Sequence, residues 1–132
     1  MRGIRKICKS MGYALCGLRH AYRSDESFRM EVNIGLPVFI SLGFYLAPFQ
    51  TWEFLLFVFS YLLILIIELV NTAFETMLDK LHPEQHDTIG QSKDISASAV
   101  LLAIIFAVVV CSVLLVTRLT PNISVNIVNS FV

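Results

Sequence analysis

The chain has 132 residues, 56% of them hydrophobic, with a mean hydropathy of +0.73 and ten basic residues balanced by ten acidic ones. That apolarity excludes a soluble domain and the length excludes a multi-domain enzyme, so the sequence reads as a small all-α integral membrane protein. The zero net charge hides a local basic excess: Arg2, Arg5, Lys6, Lys9, Arg19, Arg23 and Arg29 all precede the first long apolar run. No nucleic-acid partner is expected.

About residues 2–23 alternate with helical period. Ile4, Ile7, Cys8, Met11, Leu15, Leu18 and Tyr22 share a face, while Arg5, Lys6, Lys9 and Arg19 lie largely elsewhere. A basic amphipathic helix of this kind lies along an anionic membrane surface; the plainer alternative is a cytosolic helix packed on a partner. Its apolar positions are interrupted by Arg and Lys, and no small-residue cleavage pattern follows, so it does not read as a signal peptide. Cys8, Cys16 and Cys111 form no metal-type spacing and no complete disulfide framework, which suits a reducing cytoplasm and a membrane interior.

Ser24-Asp25-Glu26-Ser27 is a capping-type sequence leading into a first span over about residues 32–48, with Pro37 expected to kink it. This span is short for a solitary membrane helix and should lean on neighbours. Trp52 in the turn that follows suits a membrane interface. The second span, about residues 54–81, contains neither Gly nor Pro and extends about 42 Å as a helix, longer than a hydrocarbon core of roughly 30 Å. Its polar half should therefore project into water, with Glu68 near the boundary and Glu75 and Asp79 beyond it.

Residues 82–91 read as a polar loop, with Pro83 and Gly90 marking its ends, and Ser92-Lys93-Asp94 opens a third span over about residues 92–118. There Ala99, Ala103, Ala107 and Cys111 recur every four residues, a small-residue stripe that lets helices approach closely. The tail, 119–132, is uncharged and is expected to be frayed or interfacial. Lys and Arg number seven before the first span, none between the first and second, two between the second and third, and one after it. The positive-inside rule then puts the N-terminus and the His82 loop in the cytoplasm and the C-terminus outside, with the bacterial inner membrane as the expected address.

No Walker A pattern, kinase glycine loop, nucleophile elbow or paired-cysteine zinc motif occurs. His82 and His86 are four apart, but Pro83 disturbs a helix there, and solvated loop histidines are the better reading than a zinc site. The carboxylates offer more. Glu68, Asn71 and Glu75 follow fourteen uncharged residues, Phe54 to Ile67, at helical spacing, which places all three on one face. An ionisable residue beside a spanning segment is costly to bury without compensation and so marks a functional site. Together with Asp25, Glu31 and Asp94 they can converge on one cytoplasmic rim, where hard oxygen donors suit Mg²⁺ bridging phosphate groups. The competing reading is an interfacial ion-pair network that ties three helices together.

The run Glu68-Leu69-Val70-Asn71-Thr72-Ala73-Phe74-Glu75 with Asp79, followed by Glu84, His86 and Lys93-Asp94, resembles the signature of the prokaryotic diacylglycerol kinase family, including its undecaprenol kinase branch. Gly12-Tyr13, Gly17-Leu18-Arg19 and Phe28-Arg29-Met30-Glu31 fit it in order and spacing, so the likeness spans about residues 4–118. The resemblance implies a homotrimer of three-span subunits with a surface helix and active sites shared between subunits, acting on a membrane lipid with Mg-ATP. It implies Glu68 as the general base toward the lipid hydroxyl, and Asp25 and Glu75 as ligands of the Mg²⁺ on ATP. Asn71, Lys93 and Asp94 would hold the phosphates. Lys6, Tyr13, Glu84, Gln85 and His86 would line the nucleotide, and Arg29, Glu31 and Ala97 would lie near the lipid. The chain departs from the family at Asp25, where Glu is usual, at Cys16, near which a basic residue is missing, and at Ala97, where some members carry serine. A non-catalytic membrane scaffold is the competing class.

Overall fold

The computed structural model describes residues 2–81, 84 and 87–120; the expectations for His82, Gln85, His86 and the tail beyond Thr120 lie outside them. The described residues form helices and no strand: α1 (Arg2–Ser24), α2 (Glu26–Met30), a π-helical turn (Glu31–Gly35), α3 (Leu36–Leu46), α4 (Thr51–Leu81) and α5 (Asp87–Leu119). Two of these, α4 and α5, are long and apolar enough to cross a membrane.

Between α1 and α2 the chain breaks for one residue. Asp25 takes an extended backbone and its Oδ1 accepts the Phe28 amide at 3.0 Å, which caps α2 by the mechanism its sequence announces. From there the chain stays helical to Leu46, but not uniformly so. In a regular α-helix the Pro37 ring would clash with the carbonyl of Asn33, and Pro37 has no N–H to give it. The π turn spans Asn33 and ends just before Leu36-Pro37, so the kink expected at the proline is expressed as a widened turn upstream of it.

α4 begins at Thr51, three residues earlier than the apolar run alone marks. Glu53 explains the early start: its Oε2 reaches back to accept the Gln50 amide at 2.8 Å, the reciprocal half of a capping box. α5 likewise opens at Asp87 rather than Ser92, so Gly90 lies inside the helix and not at the end of a loop. An acid in the first turn complements the positive helix end.

The core lies between α3, α4 and α5. One cluster joins Leu46, Phe57, Val110 and Leu114; a second joins Tyr61, Ile64, Ala103 and Ala107. Phe39 of α3 links them, stacking on Phe57 at 3.8 Å and on Tyr61 at 4.5 Å between ring centroids. Ala103 and Ala107 are buried where α4 and α5 pack together, whereas Ala99 of the same stripe is exposed. Hydroxyls along the helices, such as those of Ser41, Ser60 and Ser98, donate to carbonyls three or four residues back, which satisfies them without water.

At the end of the bundle remote from Glu68, Arg118 closes the structure. Its Nη2 meets Glu53 Oε2 at 2.6 Å and the Pro48 carbonyl at 2.9 Å, and its Nε meets the Leu46 carbonyl at 3.1 Å. Glu53 is only 5% exposed, so this carboxylate has both a charge partner and a backbone amide in place of water.

Candidate active site

The acidic face of α4 meets the α1–α2 junction in one polar cleft of about 340 Å³. Ser24, Asp25, Glu68, Asn71, Glu75 and Asp79 are among the residues lining it. Glu68, Asn71, Glu75 and Asp79 recur every three to four residues along α4, the spacing that sets side chains above one another on one side of a helix. Glu68 sits deepest at 3% exposure, and Asn71 and Thr72 are buried beside it.

Thr72 joins the two walls. Its Oγ1 lies 2.5 Å from Asp25 Oδ2 and 2.9 Å from the Glu68 carbonyl, with one proton between the two acceptors. Asp25 is thus held at both oxygens, one by the Phe28 amide and one by Thr72. Asn71 Nδ2 donates to Glu75 Oε1 at 3.1 Å, while the Asn71 Oδ1 is buried without a partner among the described residues. One carboxylate oxygen of Glu31, Oε2, is orphaned in the same way. Glu31 stands ahead of the apolar segments, and burial, with Glu68 and then Asp25 as like-charged neighbours, pushes its carboxyl up to about 7.

Asp25, Glu68, Asn71 and Glu75 are therefore brought together, and Glu31 adjoins them through the like charges of Glu68 and Asp25. Lys93 reaches the rim indirectly, in an ion pair with Asp79 and not over Asp94. Asp94, Glu84 and Ala97 are exposed, and Arg29 is half-buried in α2. Lys6 and Tyr13 lie on the exposed length of α1, away from the cleft lining, where Lys9 Nζ sits 5.8 Å from the Tyr13 ring centre. Thr72 went unremarked as a site residue in the sequence, although its place one turn after Glu68 was a readable signal. Its partner across 47 residues was not readable.

The donor set fits a divalent cation carried by phosphate. Asp25, Glu26, Glu68, Glu75 and Asp79 line the cleft with no Lys or Arg among them, a field that repels a polyphosphate arriving without a cation. No three His, Cys, Asp or Glu side chains among the described residues are grouped to cage a metal by themselves.

The family model described as prokaryotic diacylglycerol kinase matches residues 12–115. The diacylglycerol kinase of Escherichia coli (strain K12) is 35% identical over 114 residues, covering 86% of this chain and 91% of its own. That of Haemophilus influenzae is 32% identical over 102 residues, covering 77% and 85%. That of Helicobacter pylori (strain J99) is 28% identical over 105 residues, covering 80% of each chain.

Proposed function

Because the chain belongs to the prokaryotic diacylglycerol kinase family and is a kinase with helices fit to cross a membrane, we propose that it transfers the terminal phosphoryl group of ATP to the hydroxyl of diacylglycerol, giving phosphatidic acid in a bacterial inner membrane. The observation that carries this reading is the burial of Glu68 at the end of an uncharged helical stretch, inside a cleft it shares with Asp25, Asn71 and Glu75.

A lipid hydroxyl stays at the interface, so its base must be there too. In this reading Glu68 accepts the hydroxyl proton while the oxygen attacks the terminal phosphorus in line, the bond from that phosphorus to the bridging oxygen breaks, and ADP leaves. Phosphoryl transfer asks for positioning and charge neutralisation more than for covalent help from the protein. Asp25 and Glu75 would hold Mg²⁺, which when bound neutralises the phosphate oxygens. The Asn71 amide orients Glu75, and Thr72 fixes the Asp25 carboxylate on the facing wall. Asn71, Lys93 and Asp94 serve the phosphates, Lys6, Tyr13, Glu84, Gln85 and His86 the nucleotide, and Arg29, Glu31 and Ala97 the lipid.

The proposed assembly is a homotrimer with active sites shared between subunits. It brings to each cleft basic groups with which its own subunit does not line it. Segment 32–48 then completes three spans per subunit, and α1, with Ile4, Ile7, Met11 and Leu15 exposed, lies on the anionic cytoplasmic leaflet.

Purified protein in mixed micelles with labelled ATP and Mg²⁺, offered diacylglycerol or undecaprenol in separate arms, tests the reading. Phosphate on diacylglycerol is the expected result. Transfer to undecaprenol alone would move the substrate to the family's other branch, and transfer to neither lipid would leave a scaffold.

A further inference from the structure

Tyr61 lies outside the acid-lined cleft, two turns before Glu68 on the same buried side of α4. Its hydroxyl donates to the Glu31 carbonyl at 2.7 Å, across 30 residues of sequence. The same carbonyl accepts the Leu36 amide and so closes the π turn. Gly35 makes this approach possible: a Cβ there would stand 2.7 Å from Tyr61 Oη, although 3.7 Å from the next ring atom. The ring itself is fixed by its stack on Phe39. An extra residue in one turn rotates everything before it by about 100° relative to the helix that follows. Glu31, which opens the turn, and Asp25 ahead of it, which reaches Thr72, therefore face α4 as they do only while the wide turn persists.

We propose that Tyr61 is a positioning residue for phosphoryl transfer: its hydroxyl, admitted by the missing side chain at Gly35, locks the π turn and so holds the Asp25–Glu31 wall of the cleft against Glu68. The catalytic part of this rests on the kinase reading above; the mechanical part does not. Tyr61→Phe keeps the ring and removes only the lock. It is expected to lower kcat about tenfold or more, as small misplacements of reacting groups do, with KM for Mg-ATP and lipid changed less than about twofold. Amide exchange at residues 31–36 in micelles should quicken while the thermal midpoint holds. Gly35→Ala should have the same effects in the presence of the Tyr61 hydroxyl and add little to Tyr61→Phe, because the remaining ring atoms lie at ordinary contact distance.

Unchanged kcat and unchanged exchange in Tyr61→Phe would overturn the proposal, as would a cycle in which the two substitutions act independently. A fall in kcat that only tracks loss of folded protein would replace it with plain packing. Were the wild-type protein inert toward both lipids, the kinase reading and the catalytic role would fall together. The exchange cycle would still decide whether Tyr61 holds the turn.

Discussion

Glu68 combines deep burial with acidic neighbours on two sides, Asp25 across the cleft and Glu75 two turns along. Replacing it with Gln keeps the shape and removes the proposed proton acceptor. Glu68→Gln is expected to lower lipid phosphorylation by about two orders of magnitude or more, with an unchanged helical circular dichroism spectrum. Glu31 makes a different prediction. Its carboxyl rises from 4.5 to about 7 in the folded protein, with Glu68 and Asp25 facing it, so the neutral form is the one the fold accommodates. Its stabilising contribution is present in full below pH 4.5 and is lost as pH rises through about 7. Thermal denaturation in detergent should therefore show stability falling between about pH 4.5 and 7, and Glu31→Gln should flatten that slope. At this level the α4 wall of the cleft was legible, since Glu68, Asn71 and Glu75 announce themselves by spacing after an uncharged run, whereas Lys6, Tyr13, Asp94 and Ala97 do not line it. The Thr72–Asp25 bond and the orphaned Glu31 oxygen depend on how two distant segments meet, which no local pattern encodes.

Among the elements, the long helices were readable because their apolar runs exceed anything a loop would carry. Their first turns were harder, because the cap made by Glu53 and the acid at Asp87 in the first turn of α5 are polar residues that composition assigns to loops. The π turn was invisible beyond the proline that provokes it. Two predictions belong to the packing of α3, α4 and α5. Arg118→Ala strips a buried carboxylate and two carbonyls of their donor. It should cost about 1–3 kcal/mol of stability, the usual penalty for stranding a buried polar group, read as a lowered midpoint in thermal or denaturant unfolding. Ala103→Leu overfills the contact between α4 and α5 and should cost a similar about 1–3 kcal/mol. Ala99→Leu, on the exposed part of the same stripe, should leave the subunit intact. In the proposed trimer, where that face meets a neighbouring subunit, chemical cross-linking in vesicles is expected to show weaker association for Ala99→Leu.

Taken whole, the molecule turns much of its apolar surface outward: Phe44, Leu55, Leu102 and Val108 are each more than half exposed. A water-soluble protein tolerates few such patches, whereas lipid or a second copy of the chain covers them without penalty. The two ends of the bundle are built differently. One end is acidic and open, with its walls joined by side-chain bonds through Thr72 and Asp25. The other is cinched by a single guanidinium that grips α4 and two carbonyls of the preceding segment at once. On the proposed function, the lipid alcohol reaches Glu68 at the open end, and strengthening or weakening the Arg118 fastening at the far end should change how firmly that cleft is held.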